Sequence, residues 1–355
     1  MNCKKLIFSA LLSITFFTSC TNDDAIVEVP LGAYDNGVLI LNQGGFGNGN
    51  ATLSYLSDDL TVFQHNIFSL VNPSIILGDT AQDIGFYNDL AYIVLNVSNK
   101  IEIVNRYTMA HVRTLSTGLS NPRYIVFANG KGYVSNWGNG SSTSDDYLAV
   151  INLANNTVST SIPVAEGPER MVVHNSKIYV AHSGGFGFGS SVSVVNTATN
   201  GVTSIAVGDV PNSLEIVGSD LYVISGGKPS WSGTETTGAL TKINLSTDSV
   251  SNTISFATGL HPSNLDIESD QLYYTIDSDV FKTALSATTL PTTPIFSTTD
   301  QGVYGVYSFA VKNNKVYVGD ATDYSSNGKV YVYTTTGDLV SNKTVGVIPA
   351  GFYFN

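Results

Sequence analysis

Ile178-Tyr179-Val180-Ala181-His182 is a short apolar stretch centred on a tyrosine, and similar stretches recur along the chain. Successive tyrosines of this kind are 41 to 51 residues apart, and in four cases a proline stands eleven residues earlier. The repeated tyrosines are Tyr92, Tyr133, Tyr179, Tyr222, Tyr273 and Tyr317, and the prolines are Pro122, Pro168, Pro211 and Pro262. The constant distance between the proline and the tyrosine indicates an internal repeat. We therefore predict the secondary structure from the repeat unit and not from each segment by itself.

Each repeat unit predicts four β-strands. In the unit that begins at Pro168, apolar or alternating segments span residues 170–173, 177–182, 191–196 and 202–206. Clusters of Gly, Asn, Ser and Thr separate these segments, as expected of turns. Four short strands in 40 to 50 residues are typical of one blade of a β-propeller.

Counting the units predicts an all-β, seven-bladed β-propeller with four-stranded blades. Six complete units begin near residues 82, 122, 168, 211, 262 and 306, and residues 38–68 supply three further strands. The C-terminal segment 349–354 has the character of a first strand with nothing after it. We therefore expect the C-terminal strand to join the N-terminal blade and close the ring, with helix content near zero.

The repeat resembles a known group. Ile178-Tyr179-Val180-Ala181-His182, together with residues 192–196 and 205–208 and Pro211, is similar to the "YVTN" repeat of YncE-like propellers. This resemblance covers residues 37–355, which we assign to the propeller domain. It implies the fold but no particular activity, because one propeller architecture serves many functions.

The N-terminus predicts export and lipidation. Residues 1–19 combine two lysines with a short apolar segment, as in a bacterial signal peptide. Phe17-Thr18-Ser19-Cys20 resembles a lipoprotein cleavage site, although Phe17 replaces the usual leucine; lipidation of Cys20 is therefore expected. An ordinary secretory signal is the alternative. Residues 20–36 would form the lipidated tether, and residues 21–24 look like the acidic surface-export signal of Bacteroidota lipoproteins.

Composition excludes one class of function. The 355 residues include 16 Lys and Arg against 28 Asp and Glu, for a net charge of −12, and only 12% are charged. A nucleic-acid-binding protein needs clustered cations that displace counterions, so no nucleic-acid partner is expected.

Function is expected on one face of the propeller, because five of the loops between the second and third strands are long. They span residues 43–50, 137–146, 183–190, 226–238 and 320–328, whereas turns on the opposite face are short. Long loops on a rigid scaffold commonly carry function. The candidate aromatic residues on these loops are Phe46, Trp137, Phe186, Phe188, Trp231 and Tyr324. The alternative is that each ring packs over its own blade.

Polar candidates lie where the inner strands begin and the second strands end. Arg123 and Arg170 are expected at equivalent positions of their blades and could hold an anionic or amide-rich ligand; pairing with Glu169 or Asp83 is the structural alternative. The further candidates at this channel mouth are Asn42, Gln43, Tyr124, Asn136, His182, Tyr307 and Asp320. No catalytic motif, metal site or cofactor is predicted, although residues 145–146 and 320–323 could alternatively coordinate calcium.

Taken with the signal sequence, these features resemble the surface cobalamin-binding lipoproteins of Bacteroidota. Residues 41–50, with Gln43 and Phe46, look like the opening of that wider group. The resemblance implies a non-enzymatic outer-membrane receptor, facing the exterior, that captures a small molecule such as a corrinoid and passes it to a TonB-dependent transporter. A protein- or glycan-binding adhesion propeller is the alternative, and a propeller lactonase or lyase is a third.

Overall fold

The computed structural model of the protein describes residues 30–355. The expected signal peptide, residues 1–19, and the expected lipidation site, Cys20, lie outside the described residues. Within residues 30–355, no helix is both long and apolar enough to cross a bilayer.

The chain forms seven four-stranded antiparallel sheets, as predicted. The strands of each blade are given from the inner to the outer one. Blade 1 contains β28 (Pro349–Phe354), β1 (Gly37–Asn42), β2 (Thr52–Ser57) and β3 (Phe63–Gln64), and blade 2 contains β4 (Ala81–Tyr87), β5 (Leu90–Leu95), β6 (Lys100–Asn105) and β7 (His111–Leu115). Blade 3 contains β8 (Pro122–Ala128), β9 (Lys131–Asn136), β10 (Tyr147–Asn152) and β11 (Thr157–Pro163), and blade 4 contains β12 (Pro168–His174), β13 (Lys177–His182), β14 (Ser191–Asn196) and β15 (Val202–Ala206). Blade 5 contains β16 (Pro211–Val217), β17 (Asp220–Ser225), β18 (Ala239–Asn244) and β19 (Ser249–Ser255). Blade 6 contains β20 (Ser263–Glu268), β21 (Gln271–Ile276), β22 (Asp279–Ala284) and β23 (Phe296–Ser297). Blade 7 contains β24 (Ser308–Lys312), β25 (Lys315–Asp320), β26 (Asn327–Thr334) and β27 (Leu339–Val347).

The inner strands form a closed ring, because each contacts the inner strands of the two neighbouring blades. Blade 1 completes the ring from both ends of the described chain: β28 pairs antiparallel with β1, in a register that places Phe354 opposite Val38 and Phe352 opposite Ile40. This pairing confirms the predicted closure and covers the edge that β1 would otherwise leave open.

The repeated tyrosines lie in the second strand of each blade and fill the space between blades. Tyr92, Tyr133 and Tyr179 are fully buried among Val, Ile and Leu side chains from adjacent sheets. Both faces of each sheet pack against a neighbour, which explains the high apolar content. Two tyrosine hydroxyls also donate hydrogen bonds into the next blade, Tyr92 to Asn156 Oδ1 at 2.8 Å and Tyr179 to Asp248 Oδ1 at 2.6 Å.

Blade 1 departs from the repeat at its outer edge. Its outermost strand, β3, has only two residues, and a short helix, α1 (Ile67–Val71), follows it. Asn66 adopts a left-handed conformation before α1, and Ile67 and Phe68 are buried in the core between blades 1 and 2. Two short 3-10 turns, at Ser230–Ser232 and Thr299–Gln301, are the other helical segments of residues 30–355.

The pairing register separates the two faces of the ring. Pro122 at the start of β8 lies opposite Asn136 at the end of β9, so connections between blades share a face with loops that follow the second strands. We call this the long-loop face. On the opposite, plain face, β8 and β9 are joined by Asn129 and Gly130, both with positive φ, as a two-residue hairpin turn requires.

Candidate functional site

The mouth of the central channel on the long-loop face contains two adjoining cavities. The first, the Arg cavity, has a volume of about 300 Å³, and the second, the Tyr cavity, about 280 Å³. The Arg cavity is lined by Arg123, Tyr124, Trp137, Glu169, Arg170, Ser183, Gly185, Asn212, Ser213, Ser263 and Asn264. The Tyr cavity is lined by His261, Ser263, Asn264, Asp277, Tyr304, Gly305, Val306, Tyr307, Asp320, Ala321, Thr322 and Tyr324. The shared Ser263 and Asn264 form the boundary between them.

Arg123 is held in place by neighbours on two blades. Its Nε and Nη2 donate to the two carboxylate oxygens of Glu169 at 2.8 and 3.1 Å, and its guanidinium carbon lies 4.2 Å from the ring centroid of Trp137. The structural pair that the sequence left open therefore exists for Arg123. Because Glu169 balances its charge, Arg123 contributes a rigid planar surface to the wall of the cavity rather than an unpaired positive charge.

Arg170 lies deeper in the mouth and forms no salt bridge among the described residues. Its guanidinium carbon is 5.1 Å from the ring centroid of Tyr124, whose hydroxyl accepts a hydrogen bond from Gln82 at 3.1 Å. Asp83 lies nearby, and burial raises the pKa of its carboxyl to about 6, with Arg170 opposing that rise. Arg170 is thus the cation of this mouth best placed to interact with a ligand.

Aromatic rings from adjacent loops meet across blade boundaries. Trp137 and Phe186 lie edge-to-face with centroids 5.7 Å apart, and Phe188 and Trp231 are 5.8 Å apart. Phe186 and Trp231 are nonetheless 83% and 79% exposed. The rings therefore form a row over blades 3 to 5 that leaves large apolar surfaces in water, where a flat ligand can cover them. Phe46 on the blade 1 loop is likewise 81% exposed.

Tyr307, Tyr324 and Asp320 meet at the Tyr cavity, as the sequence placed them on this face. The Tyr307 and Tyr324 rings are 5.8 Å apart and nearly perpendicular. The Tyr307 hydroxyl donates to Gln43 Oε1 at 2.7 Å, which brings Gln43 of blade 1 to the same rim. Burial raises the pKa of Tyr307 to about 12, so its hydroxyl keeps its proton at neutral pH.

Three other candidates are buried below this surface. Asn42, Asn136 and His182 are at most 1% exposed. The side chain of Asn136 bonds to Val134 and Ser120 backbone, and both ring nitrogens of His182 have partners, Glu166 O and Ser193 Oγ. Burial lowers the pKa of His182 to about 4, which keeps the ring neutral. None of the three lines either cavity.

A third cavity, of about 340 Å³, occupies the part of the channel nearer the plain face. Glu215, Asp266 and Glu268 line it together with Lys312, and Arg170 closes it toward the long-loop face. Burial raises the pKa of Glu215 to about 8, and the nearby Asp266 adds to this effect. The channel cavity is thus acidic at one end and faces Arg170 at the other.

The sequence-based site prediction missed two residues of the Tyr cavity, Tyr304 and Asp277. Tyr304 belongs to the connection between blades 6 and 7, which shares the long-loop face, whereas the predicted aromatic loop residues all belong to loops that follow second strands. Tyr304 stands three residues before Tyr307. Aromatic residues in the blade connections were therefore the signal that could have identified it.

The next feature is the arrangement of possible metal-ligating side chains within residues 30–355. Among residues 30–355, no group of three or more His, Cys, Asp or Glu side chains is arranged to hold a metal ion. Asp323, in the segment with calcium-like spacing, instead accepts hydrogen bonds from the backbone N–H groups of Ser325 and Ser326. These hydrogen bonds hold its pKa well below the usual range.

Fold and site together define a seven-bladed β-propeller with paired cavities and exposed aromatics on one face. The chain belongs to a family described as a domain of unknown function, DUF5074, whose model matches residues 36–355. No curated protein matches the chain.

Solved structures share the architecture at low sequence identity. A quinonprotein alcohol dehydrogenase-like protein from Bacteroides thetaiotaomicron VPI-5482 matches with TM-score 0.67 and 13% identity, over 90% of this chain and 78% of that one. BamB from Moraxella catarrhalis matches with TM-score 0.52 and 13% identity, over 89% and 85%. A computationally designed protein, Ika8, gives 0.55 and 9%, over 91% and 92%. At these identities the likeness shows the fold alone.

Proposed function

We propose that this protein is a non-enzymatic binding protein that captures a small organic molecule on its long-loop face. The observation that supports this most directly is the pair of adjoining cavities flanked by exposed aromatic rings from several blades. Cavities of this size, with a few convergent polar groups and aromatic walls, are typical of ligand sites. A corrinoid is the first ligand to test, because it is large, partly flat and rich in amides that the Asn and Arg side chains can bind.

We further propose that a lipid on Cys20 anchors the protein to the outer membrane, facing the exterior, and that the ligand passes to a TonB-dependent transporter. This part of the proposal is supported by the sequence resemblances of residues 17–24 and by the propeller fold. Proteolysis of surface proteins on intact cells, together with radiolabelled-lipid incorporation into wild type and Cys20→Ala, tests the anchor and its orientation.

The proposed capture is tested by titrating cobalamin into the purified protein and into single variants. We expect Phe186→Ala and Trp231→Ala to weaken binding about tenfold each, because both rings are exposed and lose contact area with the ligand. Val112→Ala is the control, since Val112 is an exposed residue of the outer strand β7 away from the channel. Absence of wild-type binding at micromolar protein would exclude the corrinoid.

A protein- or glycan-binding role for the same face is the second candidate, favoured by the high exposure of Phe46, Phe186 and Trp231. Exposed aromatic rings on a broad surface suit a macromolecular partner as well as a small one. A glycan array probed with wild type and Trp231→Ala distinguishes the two: binding that is lost in the variant while cobalamin stays unbound supports this candidate.

A further inference from the structure

We propose that the Tyr cavity between blades 6 and 7 is a subsite for an organic ammonium group, lined by Tyr304, Tyr307 and Tyr324 and by the carboxylates of Asp277 and Asp320. This inference deepens the proposed function and rests on the long-loop face being a ligand-binding face. It assigns a chemical class to one half of the site, independently of the corrinoid.

Hydrogen bonds hold the backbone of the segments that carry the tyrosine rings of this cavity. The single hydroxyl proton of Ser278 is shared between the backbone oxygens of Val303 and Tyr304, which lie 2.7 and 2.8 Å from Oγ. The Tyr304 backbone is therefore tied to blade 6 while its side chain is 95% exposed. Tyr324 is 61% exposed, and its backbone N–H donates to Ala321 O at 2.9 Å. Tyr324 also has a φ of 61°, an uncommon value for a bulky residue. Ring faces held near one cavity attract cations through their negative quadrupole.

The carboxylates of the cavity lack a cationic partner. Asp320 is only 6% exposed and lines the cavity; its Oδ1 accepts the N–H of Thr322 at 2.8 Å. No hydrogen bond to its Oδ2 and no salt bridge to Asp320 or Asp277 occurs within residues 30–355. The one histidine of the lining, His261, pairs with Glu235 instead. A nearly buried carboxylate with an oxygen free toward a cavity favours a ligand that brings positive charge.

An organic cation fits this cavity better than a metal ion does. The lining contains too few arranged carboxylates for a metal, as found above, whereas aromatic rings are the usual partners of alkylammonium groups. The volume of about 280 Å³ is also far larger than a bare ion needs. The net charge of −12 favours the approach of cations over anions.

Choline and its uncharged analogue 3,3-dimethylbutan-1-ol, which have the same shape, are the matched probes. We expect choline to bind at least tenfold more tightly than the alcohol by calorimetry or ligand-observed NMR, and more weakly as salt is raised. Tyr324→Ala and Asp320→Asn should each reduce choline affinity about tenfold, whereas Tyr304→Phe keeps the ring and should bind as wild type. Val112→Ala, on the outer strand β7 away from the channel, is the control.

Three results would each overturn the ammonium subsite. They are equal binding of the two probes, absence of choline binding, and displacement of bound choline by calcium but not by other cations. Tyr324→Ala secures the test if Asp320→Asn fails to fold, because Tyr324 is mostly in water. Choline binding without cobalamin binding supports the subsite and removes only the corrinoid. Cobalamin binding without choline binding removes only the subsite, whereas a wild-type protein that binds neither ligand rejects small-molecule capture on this face as a whole.

Discussion

Glu215 lies in the wall of the channel cavity, near Asp266 and facing the same space as Arg170. Burial raises the pKa of its carboxyl to about 8, Asp266 raises it further, and Arg170 lowers it. A glutamate in the unfolded chain titrates near pH 4.3. The folded protein therefore binds a proton at Glu215 more tightly than the unfolded chain does, and the ionised form destabilises the fold as pH rises through this interval.

Glu215→Gln should remove this pH dependence. At pH 9 we expect the free energy of unfolding of the variant to exceed that of wild type by about 1–3 kcal/mol, because the amide needs no ionisation inside the channel. Near pH 3 Glu215 is protonated in both the folded and the unfolded chain, so the two proteins should be equally stable. Urea unfolding at both pH values measures the difference; a constant difference across the pH range contradicts the assignment.

Individual candidates of the site show what sequence can and cannot predict. The prediction that Arg123 and Arg170 are equivalent was wrong, because the strand register aligns Arg123 with Glu169 and Tyr124 with Arg170. Their surroundings also differ: Glu169 pairs with Arg123 across blades, whereas Arg170 has no salt bridge within residues 30–355. Likewise Asn136 and Asp320 occupy the same strand end, yet Asn136 is buried and Asp320 lines a cavity. Such differences depend on which neighbour fills each gap, and a single repeat pattern does not contain that information.

At the level of elements, the second strand connects neighbouring blades through its tyrosine. The Tyr179 hydroxyl donates to Asp248 in the hairpin between β18 and β19 of blade 5, and Lys177 pairs with the same carboxylate. Tyr133 occupies the equivalent position in blade 3 and is equally buried, but its hydroxyl has no hydrogen-bond partner among the described residues. The two positions form a natural comparison of one hydroxyl with and without an acceptor.

Tyr179→Phe should lower the free energy of unfolding by about 1–2 kcal/mol, because Asp248 loses one charge-assisted hydrogen bond. Tyr133→Phe should leave it unchanged or raise it slightly, since an unpaired buried hydroxyl is removed. Chemical denaturation of the two variants measures both. An equal loss in both variants would show that the hydroxyl contributes by packing and not by the contact with Asp248.

Strand boundaries were predictable wherever turn residues interrupt apolar segments. In blade 4 the predicted segments 177–182, 191–196 and 202–206 coincide with β13, β14 and β15. The inner strand β12 begins two residues before its predicted start, because Pro168 pairs with His182. Residues 327–328, predicted as loop, belong to β26, which pairs with β25 as far as Asp320 and Lys329. The helix α1 was not predicted, because its five residues are too few to show a helical periodicity in the sequence.

For the whole molecule, the pairing of β28 with β1 holds the ring together. Deleting residues 349–355 would expose the edge of β1 and leave Tyr317, which contacts Phe352 and Phe354, without its neighbours. We expect the melting temperature to fall by more than about 10 °C, with aggregation, because several buried side chains and one ladder of hydrogen bonds are lost together. Thermal melting followed by circular dichroism measures the effect.

The matched control removes residues 230–232, a short 3-10 turn on an exposed loop with no buried side chain. That deletion should shift the melting temperature by no more than a few degrees. A synthetic peptide of residues 349–355, added to the truncated protein, should restore part of the lost stability. Equal melting of the truncated and complete proteins would mean that blade 1 is stable with three strands.

The same pairing sets an order of events during synthesis. β1 is made early, but its partner β28 emerges about 300 residues later, which corresponds to roughly 15–60 s of translation at ordinary elongation rates. Throughout that interval three strands of blade 1 exist without their inner neighbour, while blades 2 to 7 have all their strands in sequence. The ring therefore becomes complete only after β28 has been made, and until then the inner edge of β1 is unpaired and open to pairing with another chain.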